Sequence, residues 1–205
     1  MPPLHTTVSP VRALWPKRQL VASLLPTLKW RRHGIGALQA YVHEHPEREL
    51  RVHLWSPRLM VPVILESGNA HNHRFAMRSS VLLGELMHTE WQIGEGSGHE
   101  LCAVYDFKHA RIHKTDDDRA ELSPLPGEFH VTKVPMHLRA GDEYVFDREA
   151  YHDSLPLTDV VVTLVEKFDQ VETRARVIAP VGKPPVPAFG GGEPNPCLVR
   201  DLVDN

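Results

Sequence analysis

The chain is poor in the features that usually place a protein at once. It has two cysteines, Cys102 and Cys197, in 205 residues. They lie too far apart in sequence to form a close pair, so no disulfide framework is expected and a reducing compartment is the plain reading. Neither sign of charge dominates: 23 Lys and Arg against 26 Asp and Glu leave a formal charge of −3, which offers no electrostatic handle for nucleic acid or an acidic membrane surface. No apolar run is long enough to span a bilayer, and Met1 to Val8 lacks the apolar stretch of a secretory signal. A cytoplasmic location is therefore expected. There is no internal repeat, and 205 residues of globular composition make one main domain the default.

What is present divides into three parts: an N-terminal helical segment over 1–48, a β-rich body over 49–178 and a Pro- and Gly-rich arm over 179–205. In the first part, Leu20, Val21, Leu24 and Leu25, and again Ile35, Leu38, Tyr41 and Val42, have helical spacing. The basic clusters Lys17-Arg18 and Lys29 to Arg32 read as solvated helix faces. From Glu49 the period becomes two: Leu50, Val52 and Leu54 alternate with Arg51, His53 and Trp55. Further strands are expected over 59–65, 79–93 (passing through Gly84), 101–105, 110–113, 129–134, 144–146 and 159–168, with a turn at Gly94 to Gly98. Many short strands between turn signals indicate an all-β sandwich or barrel. Asp116, Asp117 and Asp118 lack the spacing of a calcium loop. Leu198, Val199 and Leu202 hint that the C-terminal arm is anchored.

Fourteen histidines are spread along the chain, and two stretches arrange some of them with purpose. His71-Asn72-His73 puts two imidazoles at i and i+2, on one face of an extended chain. Gly84 follows at a fixed distance, and Gly141 and His152 form a second spaced set. These paired spacings resemble the two motifs of the cupin superfamily, with Met77 in the slot of the first motif's Glu, and Asp147 and Glu149 in place of the second motif's Pro and Gly. The resemblance covers roughly residues 50–168. Within the superfamily it is similar to the cysteine dioxygenase type of thiol dioxygenases, through Leu54 to Pro57, His71 to His73, Val81 to Leu86 with Thr89 and Trp91, and His152. The cysteine that follows the second histidine in the animal enzymes and the Ser-x-His-x-Tyr pattern of their last strand are absent.

The resemblance implies a mainly β fold, a cupin-like double-stranded β-helix (a small antiparallel barrel) with short N-terminal helices. It implies a metal held by His71, His73 and His152: Fe(II) first, with Zn, Ni or Mn as alternatives. Three imidazoles without a carboxylate leave coordination positions open for substrate and dioxygen. A mononuclear iron dioxygenase acting on a small thiol- or carboxylate-bearing molecule is the expected activity; a metal-dependent isomerase, decarboxylase or hydrolase, or a non-catalytic ligand-binding cupin, is the alternative. Arg78 and Arg74 are candidate anchors for a substrate carboxylate, although simple alternation from His73 turns both outward. Tyr144 and His88 are candidate proton or hydrogen-bond donors. Glu85 and Glu90 qualify as general acid or base if burial raises their pKa. His53, His109, His113, His130 and His137 are candidate partners of the metal-bound rings. A homodimer is expected from the resemblance, with no nucleic-acid or membrane partner.

Overall fold

In the computed structural model, residues 5–9, 12–33, 36–44, 48–59, 70–94, 100–109, 120–172, 174–183, 194, 197 and 200–202 are described. Among the described residues thirteen strands follow in order: β1 (Thr6–Val8), β2 (Arg31–Arg32), β3 (Leu38–Glu44), β4 (Glu49–Trp55), β5 (Ala70–His71), β6 (Ala76–Leu83), β7 (Glu85–Gly94), β8 (Glu100–His109), β9 (Ala120–Arg139), β10 (Glu143–Phe146), β11 (Tyr151–Pro156), β12 (Val161–Phe168) and β13 (Ala175–Pro180). Near the N-terminus the α-helix α1 (Arg18–Leu24) lies between two single 3-10 turns. All pairings are antiparallel. An open sheet runs β1-β10-β6-β12-β4-β3-β2, and a closed barrel runs β11-β5-β13-β8-β9-β7. The expected mainly β barrel with a short N-terminal helix is what the chain forms.

The open sheet is covered on both faces. On one, Leu38, Ala40, Val52, Leu54, Val162 and Leu164 bury themselves under Leu14, Val21, Trp30 and Leu202. Leu202 thus anchors the C-terminal arm; Leu198 and Val199 lie outside the described residues. The other face carries Trp55, Val81, Val161 and Val165 and meets Leu86 and Leu138 from the barrel. The alternation in β4 therefore does not separate core from solvent. Its apolar residues meet the N-terminal segment, and its Arg51, His53 and Trp55 face the space between the sheets.

Three expectations change. Residues from Leu38 to Val42 form strand β3 rather than a helix, paired with β4 through Leu38–Leu54 and Ala40–Val52. Apolar Leu38, Ala40 and Val42 also satisfy a period of two, and the ladder with β4 decides between the readings. The strand expected through Gly84 breaks there. Gly84 has φ +77, and β6 and β7 on either side belong to different sheets. β9 is far longer than expected because Gly127, with φ +102, and the register shift opposite Ala103 and Tyr105 bend it to serve β8 and then β7. The segments expected as strands at 110–113 and over most of 59–65, the Gly94 to Gly98 turn beyond Gly94, and the aspartate loop lie outside the described residues.

Candidate metal centre

Strand pairing brings the three histidines together. His152 in β11 stands opposite His71 in β5, and His71 is also opposite Val177 in β13. Beyond β5 the chain stays extended, since Asn72 N–H donates to the Arg176 carbonyl (3.0 Å) and His73 N–H to that of Arg148 (3.1 Å). One ring nitrogen from each of His71, His73 and His152 lies within 4.8 Å of the others. Their ring centroids are 4.7, 4.9 and 5.1 Å apart.

These imidazoles sit in a form suited to ligation. Burial, then the neighbouring rings, holds His73 and His152 well below the usual histidine range, so both are neutral at neutral pH. His152 Nδ1 lies 3.2 Å from the Ala150 carbonyl, an acceptor only, so Nδ1 carries the proton and Nε2 keeps its lone pair. His73 Nε2 is buried with no hydrogen-bond partner. Phe75 stacks on His73 at 4.8 Å and Phe146 lies 4.4 Å from His152, walling the centre with apolar rings. This donor set fits a divalent transition ion: three imidazole nitrogens, with His73 Nε2 unsatisfied inside the protein.

His88, fully buried on β7, stacks on His152 at 5.1 Å, with Nδ1 3.1 Å from Ser154 Oγ and Nε2 3.5 Å from Thr6 Oγ1. Burial pushes it down to about 3, so it carries no positive charge at neutral pH. Tyr144 lies 4.9 Å from His88. Burial raises its phenol to about 12 and keeps it protonated. Met77 belongs to the interior apolar cluster.

The carboxylates expected as acid or base are otherwise employed. Burial acts to raise Glu90, but hydrogen bonds from His5 and Thr6 N–H (3.0 and 2.7 Å) and Gln92 Nε2 (3.1 Å) outweigh it, leaving Glu90 below the usual range, the wrong direction for proton transfer at neutrality. Glu85 meets His137 Nε2 at 2.5 Å on the surface. Arg78 is bound to Glu166 (3.1 Å) and lies 3.6 Å from Glu143; Arg74 is exposed between His73 and Phe75.

Two groups escaped the sequence reading. A cavity of about 620 Å³ opens on His73 and Asn72, with Tyr151, Arg148, Arg174 and Arg176 in its wall. Arg148 faces Asp169 (3.5 Å), and Arg174 and Arg176 share Asp106 (3.6 and 3.3 Å). The second group, on the inner face of the open sheet, is Glu49, Arg51, His53 and Lys167. Strand parity with Trp55 was the one signal that could have revealed it. His113 lies outside the described residues.

Set beside known proteins, the chain matches no family profile and no curated protein. Solved structures do match. DMSP lyase DddQ from Ruegeria pomeroyi is 14% identical, over 82% of this chain and 78% of that one, with a TM-score of 0.40. A cupin 2 domain-containing protein from Halorhodospira halophila is 12% identical over 85% of each chain, with a TM-score of 0.31. HEPD from Streptomyces albus, solved with 2-hydroxyethylphosphonate and Fe(II) bound, is 8% identical over 67% of this chain, with a TM-score of 0.37; this chain spans 22% of that protein's length. Likenesses at these values carry no conclusion about activity.

Proposed function

We infer that this chain is a metal-dependent enzyme whose His71, His73 and His152 hold one divalent ion, iron(II) first among the candidates, and that it oxidises a small molecule with dioxygen. One observation carries the reading: three imidazole nitrogens from two paired segments, His71-Asn72-His73 and β11, converge within 4.8 Å in an apolar setting. Polar rings buried for structural reasons alone are normally hydrogen-bonded, whereas His73 Nε2 has no such partner. Iron(II) held there supplies Lewis acidity and a one-electron couple, with coordination positions left for substrate and dioxygen. The chain's own part is to fix the ligands and exclude water. Ala150 sets the His152 tautomer, His88 holds the His152 ring by stacking, and the Tyr144 phenol keeps its proton as a donor within the same layer.

The test is the metal content of untagged protein purified without added metal, set against His152→Ala, followed by oxygen uptake with small thiols and carboxylic acids. Stoichiometric iron that falls at least tenfold in the variant, with substrate-dependent uptake, is the expected result. Stoichiometric zinc or nickel without uptake assigns the isomerase, decarboxylase or hydrolase alternative. No metal in the wild type, even after iron is supplied, removes the centre.

A further inference from the structure

Glu49, Arg51 and His53 alternate along β4 on the face that also carries Trp55, and Lys167 stands opposite Glu49 on β12. Lys167 Nζ lies 2.9 Å from Glu49 Oε1, and Arg51 pairs with the same oxygen. Two cations thus share one carboxylate. Lys167, Arg51 and Glu49 keep 13, 12 and 25% of their side-chain surface, while Glu49 Oε1 and Arg51 Nε themselves are buried, so the cluster sits at the margin of the interior with its charged atoms turned inward. Burial, then Arg51, lowers Lys167 to about 8, with Glu49 opposing and Arg74 adding to the positive charge. Beside them His53 is 6% exposed, and its Nε2 has no hydrogen-bond partner.

This cluster adjoins the metal centre. Lys167 Nζ sits 4.0 Å over the Phe75 ring, and the other side of that contact chain is His73, stacked on Phe75. The arginines around the cavity beside His73 differ, because Asp106 and Asp169 face them. A net positive charge held among apolar walls is costly unless a negative group joins it, and an ammonium and a guanidinium together suit a planar oxyanion.

We propose that Lys167 and Arg51, with His53 beside them, form the recognition site for the anionic end of an acidic small molecule whose other end reaches the histidine triad. Its place next to the centre rests on the metal reading above; the anion site itself does not. In this arrangement Glu49 is an internal competitor that holds the cations in place until the ligand's own carboxylate shares them. A carboxylate, sulfonate or phosphonate end shares the needed chemistry.

The experiment titrates the full-length, metal-free protein at pH 7 with succinate, and with neutral succinamide as control, following binding by calorimetry. Wild type should bind succinate and not succinamide. Glu49→Gln, which removes the competitor and keeps the shape, should tighten binding about tenfold, Lys167→Met should weaken it about tenfold, and Lys167→Arg should stay within threefold of wild type. Should Lys167→Met fail to fold, Glu49→Gln still decides, because a cluster that merely braces two strands gains no anion affinity from that change. Equal affinity in wild type, Glu49→Gln and Lys167→Met, or equal binding of succinamide, overturns the proposal. His152→Ala separates the two readings: succinate bound as in wild type by a chain that takes up no metal supports the anion site, and this pattern together with a metal-free wild type removes the metal reading alone.

Discussion

Cys102 has no exposed surface in β8, and burial, followed by the charge of Glu100, pushes its thiol up to about 11; Cys197 is exposed. The thiolate is the nucleophile, so at pH 8 only about one Cys102 in a thousand is reactive even before access is counted. Iodoacetamide applied to native protein at pH 8 should therefore label Cys197 and spare Cys102, with both labelled in urea, as read by peptide mass spectrometry. Rapid native labelling of Cys102 would show that β8 opens readily. The same residue-level view explains what could be read from sequence at the site. His71 and His73 were legible because a spacing of two has one meaning in an extended chain, and His152 because it belonged to a second spaced set. Lys167 and Arg51 were not. Their significance depends on which face of a two-faced sheet is turned inward, and a charged residue on an alternating strand ordinarily means solvent. Arg78 had the residue type expected of an anchor, but Glu166 and Glu143 had already taken its charge.

Among the elements, β1 is held most unusually. Three residues long, it pairs with β10, and its entry is fixed by Glu90, which accepts from the His5 and Thr6 N–H groups; further on, Glu143 accepts from Ala13 and Leu14 N–H (3.0 and 2.8 Å). Two buried carboxylates thus fasten a segment too short to stay by its ladder alone. Since the folded pKa of Glu90 lies below its unfolded value, the stability it contributes is present above the unfolded value, near 4.5, and is lost as pH falls through the folded one. Glu90→Gln leaves one acceptor where there were two, at a cost of about 1–3 kcal/mol. Hydrogen exchange at Thr6 to Val8 should accelerate at neutral pH in this variant, and in wild type only below about pH 4.5; unchanged protection in the variant would mean that β10 alone holds β1. No pattern in 1–17 announces this arrangement, because the partners of its backbone lie 84 and 129 residues away. β3 was misread for a related reason, as its apolar residues fit both periods and only pairing with β4 selects one.

For the molecule as a whole, the open sheet and the closed barrel are joined where β6 passes into β7. Gly84 makes that passage possible: at φ +77, a Cβ placed there would lie 2.3 Å from the Val160 carbonyl oxygen and 2.5 Å from Thr158 Oγ1. The Gly84 carbonyl also accepts from Ala140 N–H (3.1 Å), and Gly141 N–H donates to Val81 O (2.9 Å), so the chain's return from barrel to open sheet is fastened to the same spot. The two glycines that stood out in the sequence thus serve one crossover, a role that spacing could mark but not explain. In Gly84→Ala the left-handed backbone alone costs about 1–2 kcal/mol, and relieving the contact with the Val160 carbonyl must move the start of β12, which lies between β4 and β6. A total of about 3–5 kcal/mol is expected, in the range reserved for defects that the core cannot absorb. Trp55 belongs to the open sheet and Trp91 to the barrel, so urea unfolding followed by tryptophan fluorescence and by far-ultraviolet circular dichroism reports on both. A lower midpoint with coincident transitions would show that the crossover ties the sheets into one cooperative unit; two separated transitions would show that the barrel, which carries His71 and His152, survives the loss of the open sheet.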